Sequence, residues 1–186
     1  MPLPEPSCAR KPGHTRTITV RSFARDDGQW DLEGHLTDIW PHEVPVAGGR
    51  LPPHQPMHEM WLRLTVDRSA TIVAVEAATD AGPYGSACSS INPAYRQLVG
   101  VRIGRGYREA IRQRLGRTAG CTHVTELTNV LPTAAIQTMA GRQGQSDSGE
   151  RPFQLGGCHA LRVDGPVVRM HYSPWYVPSE AHSDEP

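Results

Sequence analysis

The run Gln29-Trp-Asp-Leu-Glu-Gly-His-Leu-Thr-Asp-Ile-Trp40 decides the fold class. Trp30, Leu32, Gly34 and Leu36 fall on one side of an extended chain, while Asp31, Glu33, His35 and Thr37 fall on the other. Successive side chains of a strand point to opposite faces, so this period of two predicts a strand with one buried face. Just before it, Thr15 to Phe23 alternates in the same way. Asp26-Asp27-Gly28 supplies the turn between them, because Gly tolerates positive φ and Asp caps the bend. The two runs read as a hairpin. His35 lies on its polar side, where a solvated or hydrogen-bonded histidine is expected.

Working outward, residues 41–56 hold five Pro, two Gly and two His, which neither a helix nor a central strand accepts, and read as a long loop. A third strand follows from His58 to Val66, with His58, Met60, Leu62, Leu64 and Val66 on one side. His58 sits at the mouth of that inward row, either as a buried hydrogen-bonded histidine or as a site residue. Thr71 to Thr79 makes a fourth strand. The segment from Asp80 through Gly82-Pro83 to Cys88 then reads as a loop leaving a strand end. Asn92-Pro93 opens a helix, with Asn as N-cap and Pro in the first turn, and Gly100 ends it.

Arg105 to Leu115 predicts a second helix with Tyr107, Ala110, Ile111 and Leu115 as its apolar stripe. Its other face carries Arg105, Arg108, Arg112 and Arg114, read as a solvated charged face before a phosphate-binding one. A third helix spans Gly120 to Ala140 and buries Val124, Leu127, Val130, Leu131, Ala134 and Ala135, with a bend expected at Pro132. Residues 141–152 are polar and read as a mobile linker. The runs 156–163 and 167–172, flanking Asp164-Gly165-Pro166, read as a closing β-hairpin. The expected class is α+β: an antiparallel meander of about four strands, three helices and a C-terminal β-hairpin. Residues 15–176 form its single domain, between a Pro-rich disordered tail at 1–14 and an acidic disordered tail at 177–186.

Bulk composition limits the function. The 186 residues carry 19 Lys and Arg against 19 Asp and Glu, with a pI near 7.1, so no global field draws nucleic acid or an anionic membrane. No run of about 18 apolar residues suggests a transmembrane helix. The start, Met-Pro-Leu-Pro-Glu-Pro-Ser-Cys, lacks the apolar core of a secretory signal, and a cytoplasmic protein is expected. In a reducing compartment the four cysteines, Cys8, Cys88, Cys121 and Cys158, are expected free, metal-bound or catalytic, with Cys8 incidental. Nine histidines raise the prospect of a metal.

Chemistry concentrates at the third helix. Cys121, His123 and Glu126 stand at its mouth, where unpaired N–H groups and the positive end of the dipole favour thiolate. A plainer reading makes Cys121 a small buried residue, His123 a surface or capping group and Glu126 a first-turn carboxylate.

Four stretches also carry a family resemblance: Asp-Gly-Gln-Trp-Asp-Leu-Glu-Gly-His-Leu-Thr-Asp (27–38), Met-His-Glu-Met-Trp-Leu-Arg-Leu-Thr-Val-Asp (57–67), Gly-Cys-Thr-His-Val-Thr-Glu-Leu (120–127) and Gly-Cys-His-Ala-Leu-Arg-Val-Asp-Gly (157–165). With these the chain resembles, over roughly residues 14–176, the bacterial family called domain of unknown function 2889. That resemblance implies unity of fold and importance of the Cys121 motif, not an activity. The order of strands, Cys88 loop, helices and Cys121 also resembles, more weakly, the core of IscU/NifU-type iron-sulfur scaffolds. Those hold a cluster or zinc with three Cys assisted by Asp and His, which would put Asp80, Cys88, Cys121 and His123 near matching places. Here Cys121-Thr-His123 replaces the scaffold's adjacent His-Cys pair, and no cysteine lies between Cys88 and Cys121.

The leading expectation is a mononuclear transition-metal site, zinc or iron, drawn from His58, Cys121, His123 and Cys88 or Glu126. Asp80 or Glu126 would move protons on a small organic acid or thioester. The alternatives are a metal-free enzyme with Cys121 as nucleophile, an iron-sulfur or metal carrier, and a small-ligand-binding protein. Expected partners are a small-molecule substrate or ligand and, at most, a second copy of the chain as a homodimer, with no nucleic acid and no membrane.

Overall fold

Alternation in sequence becomes four long strands: β1 (Thr15–Ala24), β2 (Trp30–Ile39), β5 (Pro56–Val66) and β6 (Ile72–Ala81). They pair antiparallel in the order β1-β2-β5-β6, the expected meander. This computed structural model describes residues 3–142, 151–152 and 154–178. Contacts divide the chain into two units, Met1–Arg142 and Gln143–Pro186. Where the sequence suggests only a loop at 41–56, a two-stranded ribbon forms from β3 (Val44–Val46) and β4 (Gly49–Leu51), turning at Gly48 with φ of 89°. Pro45 is tolerated there because a two-stranded ribbon leaves outward N–H positions without a ladder partner.

Register puts Leu32, Leu36, Met60, Leu62, Leu64, Val66 and Ile72 on one face, all buried. Across that inner face lies α3 (Thr122–Arg142), which buries Val124, Leu127, Leu131 and Ala135 and runs through Pro132. Gly34 makes the approach possible, since a Cβ at this position would stand 3.2 Å from Leu127 Cδ2 and 3.5 Å from Leu131 Cδ2. The short α1 (Ser86–Ser89) and α2 (Tyr107–Leu115) complete the helices of this unit. Asn92–Leu98 is a 3-10 helix that buries Tyr95 and Leu98, and the chain turns at Gly100 with φ of 85°. The arginine face of α2 is exposed, with Arg112 paired to Glu109.

The second unit corrects the expected C-terminal β-hairpin. Pro166–His171 is a helix, α4, and residues 154–164 approach it through turns. Pro166 fits the first helical turn, where its missing N–H and fixed φ cost nothing. Val168 is buried while Val167 and Met170 are exposed, so the apolar pair that resembled a strand serves a helical face. Cys158 and His159 are exposed in this unit. The expected linker falls largely on residues 143–150 and most of the acidic tail on 179–186, both outside the described residues. Residues 3–14 carry neither helix nor strand.

The contact between α3 and the sheet fixes the expected response to core substitutions. Leu127→Ala should lower the unfolding free energy by about 2–5 kcal/mol. Gly34→Val should cost about 1–3 kcal/mol by lifting the helix from the sheet. Ile136→Ala, on the exposed side of the same helix, should change it by less than about 0.5 kcal/mol. Urea unfolding followed by circular dichroism measures all three.

Candidate metal centre

One row of the sheet is polar on its inner side. Arg16 of β1 stands in register with Asp38 of β2, and Asp38 with His58 of β5. The inner alternation Leu32, Gly34, Leu36 therefore ends on a carboxylate, which is 1% exposed. A charge so buried must be matched by donors, and this one is. The Arg16 guanidinium donates through Nε to Oδ1 at 2.8 Å and through Nη2 to Oδ2 at 2.7 Å. His14 Nε2 lies 2.8 Å from Oδ1, and its ring packs on Trp40. His58 Nδ1 lies 3.0 Å from Oδ2.

The mouth of α3 closes over this row. His123 stacks on His58, ring centroids 3.7 Å apart, and brings Nε2 to 3.7 Å from Asp38 Oδ2. Glu126, one turn on, pairs with Arg16 Nη1. Tyr95, fully buried, anchors the helix start: its hydroxyl donates to the Cys121 carbonyl at 2.9 Å, accepts from the Cys121 N–H at 3.0 Å and meets Thr125 Oγ1 at 2.8 Å. Burial pushes the Tyr95 hydroxyl up to about 12, so it stays protonated as a donor.

Electrostatics separates an anion from two neutral bases. Burial opposes ionisation of Asp38, but the hydrogen bonds from Arg16 and His14 and the nearby positive charge outweigh it and hold the carboxyl at about 2. Burial lowers His58, partly offset by the Asp38 charge. Burial also lowers His123, helped by the repulsion a proton shared with His58 would bring and by Arg16, and partly offset by Asp38. Neutral imidazole and ionised carboxylate are the forms that bind a metal.

Potential ligand atoms of Asp38, His58 and His123 all lie within 4.8 Å of one another, the one such group of three or more among the described residues. Bonds of about 2.0–2.2 Å at near-tetrahedral angles put donor atoms roughly 3.3–3.6 Å apart. The separations of 3.0 Å and 3.7 Å from Asp38 Oδ2 to His58 Nδ1 and His123 Nε2 bracket that value. The group could hold a metal ion.

Of the residues singled out from sequence, His58 and His123 come together. Cys121 flanks them with Sγ 4.0 Å from His123 Nδ1, the ring nitrogen away from Asp38, and 3.8 Å from Met60 Sδ. Glu126 reaches the cluster through Arg16. Asp80 does not join: it lies on the outer side of β6, where its Oδ2 accepts from Trp61 Nε1 at 2.8 Å. Cys88 sits on α1 with its sulfur so close to Gly82 that a Cβ there would come within 2.8 Å. Asp38, Arg16 and His14 were not singled out. Following the inner row of β2 past Leu36 would have found Asp38, an acid at a core position.

The family profile described as Protein of unknown function (DUF2889) matches residues 14–137. The chain belongs to this family. The DUF2889 match begins at His14 and takes in Arg16, Asp38, His58, Cys121, His123 and Glu126. Comparison with curated proteins and with solved structures gives no match, so the likeness to iron-sulfur scaffolds gains no support there. No described helix is long and apolar enough to cross a membrane.

The shifts set an acid dependence. His58 and His123 titrate lower folded than in the unfolded chain at 6.5, so the unfolded state binds more protons and stability falls as pH drops below that value. Asp38, lowered from 3.8 to about 2, contributes stability above the unfolded value that is lost between about 4 and 2. Thermal melts of the metal-free protein from neutral pH to pH 2 should show both losses, and Asp38→Asn should shrink the second, to which Asp27 and Asp67, also held low, contribute as well.

Proposed function

We propose that this chain is a metal-binding protein whose ion is held by Asp38 Oδ2, His58 Nδ1 and His123 Nε2. The convergence of these three groups, from β2, β5 and the start of α3, carries the reading. Two imidazoles and one carboxylate suit zinc or iron, and three protein ligands leave room for water or substrate. On Asp38, Arg16 and His14 would orient the ligating carboxylate from outside. The ion would polarise a carbonyl oxygen of a small organic acid or thioester, and Glu126, joined to the group through Arg16, would accept or return a proton. Such a metalloenzyme belongs in the cytoplasm, where its free cysteines stay reduced.

The test is elemental analysis of protein purified without chelators, with zinc and ferrous titration of the stripped protein. A single ion per chain is expected. His58→Ala, His123→Ala and Asp38→Asn should lose it, Arg16→Ala should weaken binding by about 10–100-fold, and Cys121→Ser should keep it. Wild-type protein that neither carries nor takes up metal overturns the reading.

A metal-free reading is favoured by one contact, the 4.0 Å between Cys121 Sγ and His123 Nδ1. There Cys121 would be a nucleophile and His123 its base. In that case, iodoacetamide alkylation of Cys121 in stripped protein should slow about tenfold or more in His123→Ala, the scale of lost base assistance. Equal rates would remove this alternative.

A further inference from the structure

The inner face of the sheet carries α3 and the core, whereas its outer face displays exposed residues in ordered rows. Register sets Arg21, Glu33, Arg63 and Glu76 side by side across β1, β2, β5 and β6. The next row reads Thr19, His35, Trp61 and Ala78. Within the charged row Arg63 donates to Glu33 at 2.8 Å and to Glu76 at 2.7 Å. Arg21, at the other end, makes no ion pair among the described residues, and the Glu76 side chain is 72% exposed. His35 stacks flat on Trp61, ring centroids 3.6 Å apart, and Trp61 and Phe23 remain 38% and 45% exposed.

The charged row has a symmetry of its own: plus, minus, plus, minus. A two-fold axis parallel to the strands, running between β2 and β5, lays β1 over β6 of a second copy and β2 over β5. Every charge of this row then meets its opposite. Arg21 of one copy faces Glu76 of the other, and Glu33 faces Arg63. In the neighbouring row His35 faces Trp61, so the two aromatic stacks meet at the axis. A cleft of about 570 Å³ runs along β5 and β6 and over the β6 edge, with Trp61, Arg63, Glu76 and Ala78 on its outer-face wall and Asn92, Pro93 and Arg96 on the other. Under the same operation Arg21 and Thr19 of the second copy lie against its outer-face wall. A two-fold perpendicular to the strands gives no such match: placed between the rows it sets the charged row against the aromatic one, and placed along the charged row it sets each charge on its own kind.

We infer that the outer sheet face is a self-complementary interface and that two copies of this chain associate through it, sheet on sheet. Four strands at about 4.8 Å spacing and about 3.3 Å per residue offer roughly 600 Å² per copy. The total of about 1,200 Å² is at the lower limit of stable specific interfaces, so a reversible dimer is expected. The inference does not depend on the metal reading, since every residue it uses lies on the opposite side of the sheet from Asp38 and His58.

Sedimentation velocity of the full chain across micromolar concentrations tests it, with circular dichroism melts reporting that each variant is folded. Wild type should run as a monomer and dimer in reversible exchange. Arg21→Glu and Glu76→Arg should each raise the dissociation constant about tenfold or more, and the double variant should restore it, since the swap preserves the match only across this axis. Trp61→Asp should leave a monomer that still melts cooperatively. A wild-type chain monomeric at all concentrations overturns the inference. So does a dimer indifferent to the two charge reversals, or one that the double variant fails to rescue.

Discussion

The organising constraint of this protein is a carboxylate placed where a leucine would be expected. Asp38 ends the inner row of β2 at 1% exposure, and an ion there is tolerated only if its oxygens are filled by donors. Arg16, His14 and His58 fill them. Because the donors come from the chain entering β1 and from β5, the same carboxylate ties strands on both sides of β2. It also ties the residue just before β1 to the sheet, since His14 partners the same carboxylate.

A second constraint brings α3 to that carboxylate. The missing side chain at position 34 leaves room for the helix to lie close, and its start is held by the buried Tyr95 hydroxyl, which both accepts from and donates to the backbone of Cys121. With the helix pinned at both places, His123 has little freedom except to stack on His58. Burial then keeps both rings neutral while Arg16 keeps Asp38 ionised, so packing, not any special ligand sequence, creates the donor set. The two sides of the sheet divide the work: the inner side gathers Asp38, His58 and His123, and the outer side presents paired charges in register.

Much of the architecture was legible in the residues. Alternation over Gln29 to Trp40 and His58 to Val66 marked strands, Asp27-Gly28 marked the turn that leads from β1 into the first of them, and the apolar spacing from Val124 to Ala135 marked the long helix, because these patterns reflect which face is buried. The C-terminal segment misled for the same reason. Two adjacent valines fit a strand as well as one turn of helix, and only the position of Pro166 favoured the latter. In the ribbon at 44–51 the pattern was too short to show a period.

The site was half legible. Residue type and position on a buried row pointed to His58, and a helix mouth pointed to His123 and Cys121, since both are local properties of sequence. Which nitrogen faces which donor is not local. It depends on strand register, which sets Arg16, Asp38 and His58 in one row, and on the depth at which α3 seats against Gly34. Sequence by itself determined the strands, the helix and the kinds of donor available. Tertiary structure alone decided that Asp38 joins them while Asp80 turns to the other face and Cys88 packs against Gly82, because alternation assigns a side chain to a face but only pairing and packing say what it meets there.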